Sequence, residues 1–139
     1  MLSTRIRPRF CDTDALGHIN NTVIPVWFLE AREPVLQLFA PDGDINHSSL
    51  AVVRIEVDYL AETLFGQDVE VRTSVASIGT SSFRLQQEIW QQGQCCARGL
   101  ATLVNFDPAA RKARPVPDPV RTRLGELMAG NEKAPATKG

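Results

Sequence analysis

Residues 10–21 bring together side chains that can do chemistry. The segment reads FCDTDALGHINN and contains two aspartates, a glycine, a histidine and two asparagines. A carboxylate can act as a general base or as a nucleophile, and a histidine can transfer a proton. The same residue types also favour turns before a helix, because Asp and Asn side chains accept hydrogen bonds from nearby backbone N–H groups. The segment therefore predicts either a helix-capping turn or an active site.

A helix is predicted directly after this segment. Beyond Asn21, apolar residues recur at spacings of three and four, which places them on one helical face. Asn20 or Asn21 is predicted as the N-cap, and Pro25 is compatible with the first turn. The apolar spacing predicts one long helix that reaches Phe39. Pro34 has no N–H to donate, so it is expected to kink this helix or to end it early.

Strands are predicted before and after the helix. Residues 3–10 favour a short first strand, and four runs after the turn at 40–44 alternate apolar with polar residues. These runs are 52–59, 69–75, 83–89 and 94–106. The short links between them predict antiparallel neighbours, because a parallel crossover needs about a dozen residues or more. In the last strand Ala97, Gly99 and Ala101 share one face, which allows a helix to lie close.

The order of one strand, a long helix and four strands resembles the hotdog fold. The residues that strengthen this resemblance are Phe10, Asp12, Asp14, Gly17, His18, Asn20 and Asn21, followed by Glu30, Ala31 and Arg32. They resemble acyl-CoA thioesterases of the 4-hydroxybenzoyl-CoA thioesterase type, which commonly show D-x-D-x-x-G-H-x-N-N and a helix containing E-A-R. The resemblance covers about residues 5–106. It implies an α+β fold, with a long central helix wrapped by a five-stranded antiparallel sheet.

The resemblance assigns catalytic roles within residues 10–21. It implies that Asp14 is the catalytic carboxylate and that the main-chain N–H of Asn21 polarises the thioester oxygen. Thioester hydrolysis needs only a positioned carboxylate and stabilisation of the oxyanion, which helix-start N–H groups can provide. Gly17 is expected to allow close approach of substrate or backbone. His18 and Asn20 are expected to orient the loop or to contact the thioester. General-base and nucleophilic routes both remain open, and Asp12 is expected to be structural.

Further residues are predicted to bind substrate: Trp27, Asp58, Tyr59, Thr80, Ser81 and Ser82. Trp27 belongs to the apolar helical stripe, so it fits both a core position and an acyl pocket. Asp58 and Tyr59 are expected to line the site of a partner subunit. The three hydroxyl residues are expected to meet the pantetheine or phosphate groups of CoA. Arg32 is predicted to pair with a carboxylate rather than to bind phosphate.

Length and composition bound the remaining possibilities. A chain of 139 residues fits one domain, predicted over 1–128 with a short helix at 120–128, and residues 129–139 are predicted to be a disordered tail. A net charge of −1 disfavours nucleic acid and membrane surfaces as partners. No signal peptide or membrane span is evident, so a cytoplasmic location is expected. The three cysteines lack metal-site spacing, and no metal or cofactor is expected.

The predicted activity is hydrolysis of an acyl-CoA, or of an acyl-carrier-protein thioester. The resemblance also implies a homodimer or homotetramer, with the strand at 52–59 as the edge that joins two copies. Two alternatives remain open at this point. One is a hotdog hydratase or dehydratase that acts on acyl thioesters, and the other is a noncatalytic protein that binds them.

Overall fold

The computed structural model describes residues 1–128. The predicted tail at 129–139 lies outside the described residues. The strands are β1 (Leu2–Ile6), β2 (Leu50–Tyr59), β3 (Val69–Ile78), β4 (Ser82–Gln91), β5 (Gln94–Asp107) and β6 (Lys112–Ala113). The helices are α1 (Val23–Ala31), α2 (Glu33–Leu38) and α3 (Asp118–Glu126), with 3-10 turns at Phe10–Asp12 and Ile45–His47. No helix within residues 1–128 is long and apolar enough to cross a membrane.

The strands form one antiparallel sheet in the order β1-β3-β4-β5-β2, and β6 adds a short pairing to β5. The antiparallel pairing predicted from the short links is confirmed, with the two-residue β6 added to the five predicted strands. Strand β2 lies at one end of this order and pairs with β5, with Tyr59 opposite Ala97 and Leu50 opposite Asn105. Tyr59 and Leu50 therefore lie at opposite ends of the sheet along the strand direction.

The prediction of one long helix is wrong, because the helical segment breaks at Arg32 between α1 and α2. Pro34 has no N–H and leaves the carbonyl of Glu30 without its usual helical donor. The last turn of α1 is tighter than an α-helical turn, because the N–H of Arg32 donates to the carbonyl of Leu29, three residues earlier, at 3.1 Å. Helix α2 then starts with the proline in its first turn, a position where the missing N–H costs little.

A buried side chain from the sheet supports the end of α1. The amide nitrogen of Gln87, on β4, donates to the Phe28 carbonyl at 2.9 Å and to the Thr73 hydroxyl at 3.1 Å. The Phe28 carbonyl is thereby paired although the regular helical pattern ends in the next turn. Because a buried carbonyl without a donor is costly, this contact fixes the helix against the centre of the sheet.

The helix lies very close to β5, as the small residues on that strand predicted. A Cβ placed on Gly99 would be 2.5 Å from Cε2 of Phe28 and 3.0 Å from Cδ2. Real Cβ atoms do not approach other atoms so closely, so the ring occupies the space that a side chain would need. Trp27, Phe28 and Ala31 bury their side chains in the same apolar cluster, together with Ala97 of β5. This packing positions the start of α1 above one end of the sheet.

Candidate active site

Asp14 is held in a defined conformation by the loop that precedes α1. Its side-chain Oδ1 accepts hydrogen bonds from the N–H groups of Leu16 at 2.8 Å and His18 at 3.1 Å. Its own N–H donates to the His18 carbonyl at 2.7 Å. Within residues 1–128, Oδ2 has no hydrogen-bond partner. One carboxylate oxygen is therefore fixed by the backbone, and the other is available to a water molecule or a substrate.

Gly17 is required by the backbone of this loop. It adopts a φ of +83°, a conformation that side chains rarely tolerate. A Cβ added there would meet no heavy atom within 4 Å among the described residues, so crowding by the protein is not the reason for the glycine. The expected close approach of substrate remains a prediction.

Asp12 is buried and has a structural environment. Its carboxylate accepts hydrogen bonds from the N–H of Arg9 at 2.8 Å and from the Arg9 guanidinium at 3.0 Å. Burial alone would raise the pKa of Asp12, but the hydrogen bonds and charge of Arg9 outweigh it and hold the pKa below its usual value. The stability that this pair contributes is complete above the ordinary aspartate pKa and is lost as the pH falls through the lowered value.

The start of α1 combines a polar turn with an unused donor. The Asn20 side-chain oxygen accepts from the Thr22 N–H at 2.9 Å and from its hydroxyl at 2.8 Å. The predicted N-cap at Asn20 or Asn21 is wrong, because Thr22 is the N-cap of α1 and its side chain makes no capping hydrogen bond. The N–H of Asn21 has no acceptor within residues 1–128. The carbonyl of Asn21 accepts a hydrogen bond from the Tyr59 hydroxyl at 2.7 Å. The edge strand β2 therefore holds the backbone at the helix start.

A cleft of about 430 Å³ brings these groups together. Its lining comes from the Asp14 loop, the start of α1 and the segment that follows β2. The lining residues are Asp14, His18, Ile19, Asn21, Ile24, Tyr59, Leu60, Ala61, Glu62 and Thr63. Four of the predicted site residues line this cleft: Asp14, His18, Asn21 and Tyr59. Gly17 and Asn20 belong to the loop that forms its wall. The cleft thus contains a carboxylate oxygen and a backbone donor, both without protein partners among residues 1–128.

Glu62 is a cleft residue that the sequence analysis missed. Its carboxylate lies 3.1 Å from Nε2 of His18. The backbone of the next residue also contacts the Asp14 loop, because the Ile19 N–H donates to the Thr63 carbonyl at 2.8 Å. Buried Gln91 holds the next residues through its amide, which bonds both the N–H and the carbonyl of Leu64. The sequence feature that could have indicated Glu62 is its position just after the predicted edge strand at 52–59.

The other predicted substrate contacts lie outside the cleft of this chain. Trp27 is 3% exposed and packs in the core, and Asp58 is exposed beside the cleft without lining it. The three hydroxyl residues Thr80, Ser81 and Ser82 lie at the turn between β3 and β4. Ser82 is opposite Val104, whereas Tyr59 is opposite Ala97, seven residues away along β5. At the rise of a strand this separation is roughly 23 Å. Contacts from these residues to a bound substrate remain predictions.

Potential metal ligands cluster elsewhere. Within residues 1–128, the three side chains whose ligand atoms lie within 4.8 Å of one another are Asp42, Asp44 and His47, all exposed in the loop before β2. The His47 Nδ1 lies 2.7 Å from the Asp42 carboxylate. The N–H of Asp44 and then the His47 contact lower the pKa of Asp42. These mutual hydrogen bonds account for the cluster without an ion, and it is far from the cleft.

Comparison with known proteins assigns the family. Residues 8–124 match the model of the thioesterase-like superfamily. The chain belongs to this family. The predicted hotdog fold is confirmed as an α+β structure with a curled antiparallel sheet, although without the long helix. The predicted enzyme class is confirmed as well, because relatives named thioesterase or CoA hydrolase support a thioester hydrolase.

Three relatives illustrate the similarity. A solved structure described as a predicted thioesterase from Bacillus stearothermophilus is 38% identical, with a TM-score of 0.88, and the match covers 99% of this chain and 98% of that one. A thioesterase from Thermus thermophilus, solved in complex with coenzyme A and Zn, is 34% identical, with a TM-score of 0.79 and coverage of 88% and 95%. A 1,4-dihydroxy-2-naphthoyl-CoA hydrolase from Synechococcus sp. (strain CC9605) is 27% identical over 121 residues, 81% of each chain. Together they support hydrolysis of acyl-CoA thioesters in general.

Proposed function

We propose that this thioester hydrolase converts an acyl-CoA to a free acid and CoA thiol, with Asp14 as the reacting carboxylate and the Asn21 N–H as the oxyanion donor. The observation that carries the proposal is the pairing of two unused groups in one cleft. The Oδ2 of Asp14 and the N–H of Asn21 have no partners within residues 1–128, while Oδ1 is fixed by two backbone N–H groups. A base and an oxyanion donor that are held in place before substrate arrives need little reorganisation in the transition state.

The chemistry can follow either of two balanced routes. In the first, Asp14 removes a proton from water, the resulting hydroxide attacks the thioester carbon, and the C–S bond breaks as the thiolate leaves. In the second, Asp14 attacks the same carbon, the thiolate leaves, and water then opens the mixed anhydride. In both routes the carbonyl oxygen becomes negatively charged and accepts a hydrogen bond from Asn21 near the positive end of α1.

The His18–Glu62 pair is proposed to orient the cleft rather than to react. The Nε2 of His18 lies 3.1 Å from the Glu62 carboxylate, so Glu62 restrains the orientation of the imidazole ring at the wall of the cleft. In the Glu62→Gln variant we expect kcat to fall about threefold to tenfold while KM and the melting temperature change little, because exposed ion pairs contribute little stability. Steady-state kinetics and thermal melts measure this. Glu126→Gln on α3 is the control, because it removes a carboxylate from an exposed ion pair with Arg123 outside the cleft. A change in melting temperature without a change in kcat would assign the pair to stability alone.

We further propose that two copies pair through β2. This strand has 10 residues and, within residues 1–128, pairs on one side only, with β5. Its exposed apolar side chains include Val52, Val53 and Ile55. A long apolar edge strand invites pairing with another strand, and a two-fold related copy provides one. Because Tyr59 belongs to β2 and lines the cleft, such a dimer would place the partner subunit beside the active site.

A thiol-release assay tests the proposed substrate. The panel contains aromatic and aliphatic acyl-CoAs and one acyl-carrier-protein thioester, with aromatic acyl-CoAs first because one relative is named for such a substrate. We expect free thiol and free acid in equal amounts from at least one acyl-CoA. Thiol release from the carrier-protein thioester alone would replace CoA as the substrate carrier. An altered acyl chain without thiol release would indicate a hydratase, and tight binding without turnover would indicate a binding protein.

A further inference from the structure

The carbonyl of Asn21 lies at a position where a helix normally provides a hydrogen-bond donor. Thr22, the N-cap of α1, already has helical backbone angles, with φ −72° and ψ −16°. A carbonyl directly before the first helical residue accepts the N–H four positions further on. For Asn21 that residue is Pro25. Proline has no N–H, so α1 itself cannot supply this hydrogen bond.

The Tyr59 hydroxyl supplies the missing donor from the sheet. It donates to the Asn21 carbonyl at 2.7 Å, an ordinary length for an O–H···O hydrogen bond. Tyr59 is the last residue of β2 and pairs with Ala97 of β5, so the backbone that carries the hydroxyl belongs to the sheet. A side chain that is distant in the sequence thus replaces the donor that Pro25 removes from the helix.

This hydrogen bond acts on the turn that carries the proposed oxyanion donor. Residues 20–23 form a turn that is closed by the N–H of Val23, which donates to the Asn20 carbonyl at 3.0 Å. The central peptide group of this turn joins Asn21 to Thr22. Its N–H donates to the Asn20 side chain at 2.9 Å, and its carbonyl accepts from Tyr59. Because the central peptide group shares the Cα of Asn21 with the peptide group that carries the Asn21 N–H, holding the first restrains the second.

We propose that Tyr59 is a positioning residue for thioester hydrolysis, because its hydroxyl supplies the hydrogen bond that Pro25 cannot give and so fixes the Asn21 N–H toward the thioester oxygen. The inference rests on the proposed role of Asn21. An oxyanion donor that is fixed before substrate arrives stabilises the transition state without reorganisation. Loss of this restraint therefore slows the chemical step and leaves substrate binding nearly unchanged.

Tyr59→Phe removes the hydroxyl and keeps the aromatic ring at the cleft. With the best acyl-CoA of the panel we expect kcat to fall about threefold to tenfold, the size of one hydrogen bond, while KM changes less than about twofold. Steady-state kinetics measures this, and thermal melts show whether the variant is folded. Thr122→Val is the matched control, because it removes a hydroxyl that donates to a backbone carbonyl in α3, that of Asp118 at 3.1 Å, outside the cleft.

Replacement of Pro25 distinguishes positioning from direct contact with the substrate. Alanine at this position provides an N–H, so α1 can then hold the Asn21 carbonyl without Tyr59. Pro25→Ala alone should keep kcat within about twofold of the wild type, since the carbonyl already has a donor. Tyr59→Phe added to Pro25→Ala should lower kcat by no more than about twofold, because the two donors replace each other. A hydroxyl that contacts the substrate cannot be replaced in this way.

The carbon-13 signal of the Asn21 carbonyl gives a second readout that needs no substrate, because its shift responds to a hydrogen bond at the oxygen. We expect this signal to move in Tyr59→Phe and to return toward its wild-type position in the double variant. An unchanged kcat in Tyr59→Phe, a loss that appears in KM alone, or an equal loss of kcat with and without Pro25 would each overturn the inference. Absence of thiol release by the wild type would count against the catalytic proposal, and the carbonyl signal would then decide whether Tyr59 replaces the helical donor.

Discussion

The Asp14→Asn variant is expected to lose at least about a hundredfold in the rate of thiol release. An asparagine at this position keeps the shape of the loop, because its side-chain oxygen can still accept the N–H groups of Leu16 and His18. What changes is the second atom, where an amide nitrogen replaces the free Oδ2. That nitrogen can neither remove a proton from water nor attack a thioester. The loss should therefore appear in kcat, with KM and the melting temperature close to those of the wild type.

Asp44→Asn is the matched control for this experiment. It removes a carboxylate that, like Asp14, accepts a backbone N–H through Oδ1, but Asp44 is exposed in the loop before β2 and does not line the cleft. We expect the control to keep nearly full activity with the best substrate of the panel. If Asp14→Asn and the wild type were equally active, the reacting carboxylate would have to be another one, and Glu62 is the other acidic side chain that lines the cleft.

A single turnover in water labelled with oxygen-18 tests for direct attack by Asp14. If Asp14 acts as a general base, the label enters the free acid and never the protein. If Asp14 attacks directly and water then opens the anhydride at the aspartyl carbon, the label enters the side chain of Asp14. Mass spectrometry of the peptide that contains residue 14 measures this outcome. Label in that peptide would contradict the general-base route.

The Gly99→Ala variant is expected to destabilise the fold by about 1–3 kcal/mol. The added methyl group would lie 2.5 Å from Cε2 of Phe28, a ring that is 2% exposed in the core. The ring cannot withdraw without pulling α1 away from the sheet, since Gln87 holds the Phe28 carbonyl. A loss of this size lowers the melting temperature by roughly 4–12 °C in a domain of this length. Activity should fall as well, because the start of α1 carries the Asn21 N–H.

Gly125→Ala is the control for the loss of a glycine. Gly125 lies in α3, and a Cβ there would meet no heavy atom within 4 Å among the described residues. This variant should gain about 0.5–1 kcal/mol, because alanine favours a helix more than glycine does. Equal stability of Gly99→Ala and the wild type would mean that Phe28 does not pack against β5. A Phe28→Leu change added to Gly99→Ala should recover part of the lost stability, since the smaller side chain makes room.

The sequence predicted best what is local in the chain. The loop with Asp14 and the helix start with Asn21 are neighbours in sequence, so their meeting in one cleft followed from the pattern of residues 10–21. Glu62 was missed because its contact with His18 depends on how a distant loop packs on that segment. The break at Arg32 was only partly predicted. Pro34 indicated a disturbance, but the apolar spacing alone does not show whether a helix bends or ends.

The position of Thr80, Ser81 and Ser82 illustrates another limit. Each chain reversal in an antiparallel sheet moves to the opposite end of the strands. The link after β2 contributes to the cleft, so the next turn, between β3 and β4, must lie at the far end. Counting reversals would have placed these residues correctly within one chain. It could not have shown whether a second copy brings the same turn near the cleft, because that depends on how two sheets join.

The hydrogen bond from the Tyr59 hydroxyl to the Asn21 carbonyl links the position of the outer strand β2 to the backbone at the start of α1. The peptide at the helix start is not held by its own helix alone but also by a side chain from the sheet margin. A substitution in β2 that moves Tyr59 is therefore expected to shift the N–H of Asn21, the proposed oxyanion donor, although β2 itself does not carry that group. If Asn21 acts as proposed, the turnover rate depends on the position of β2 as well as on the residues that line the cleft.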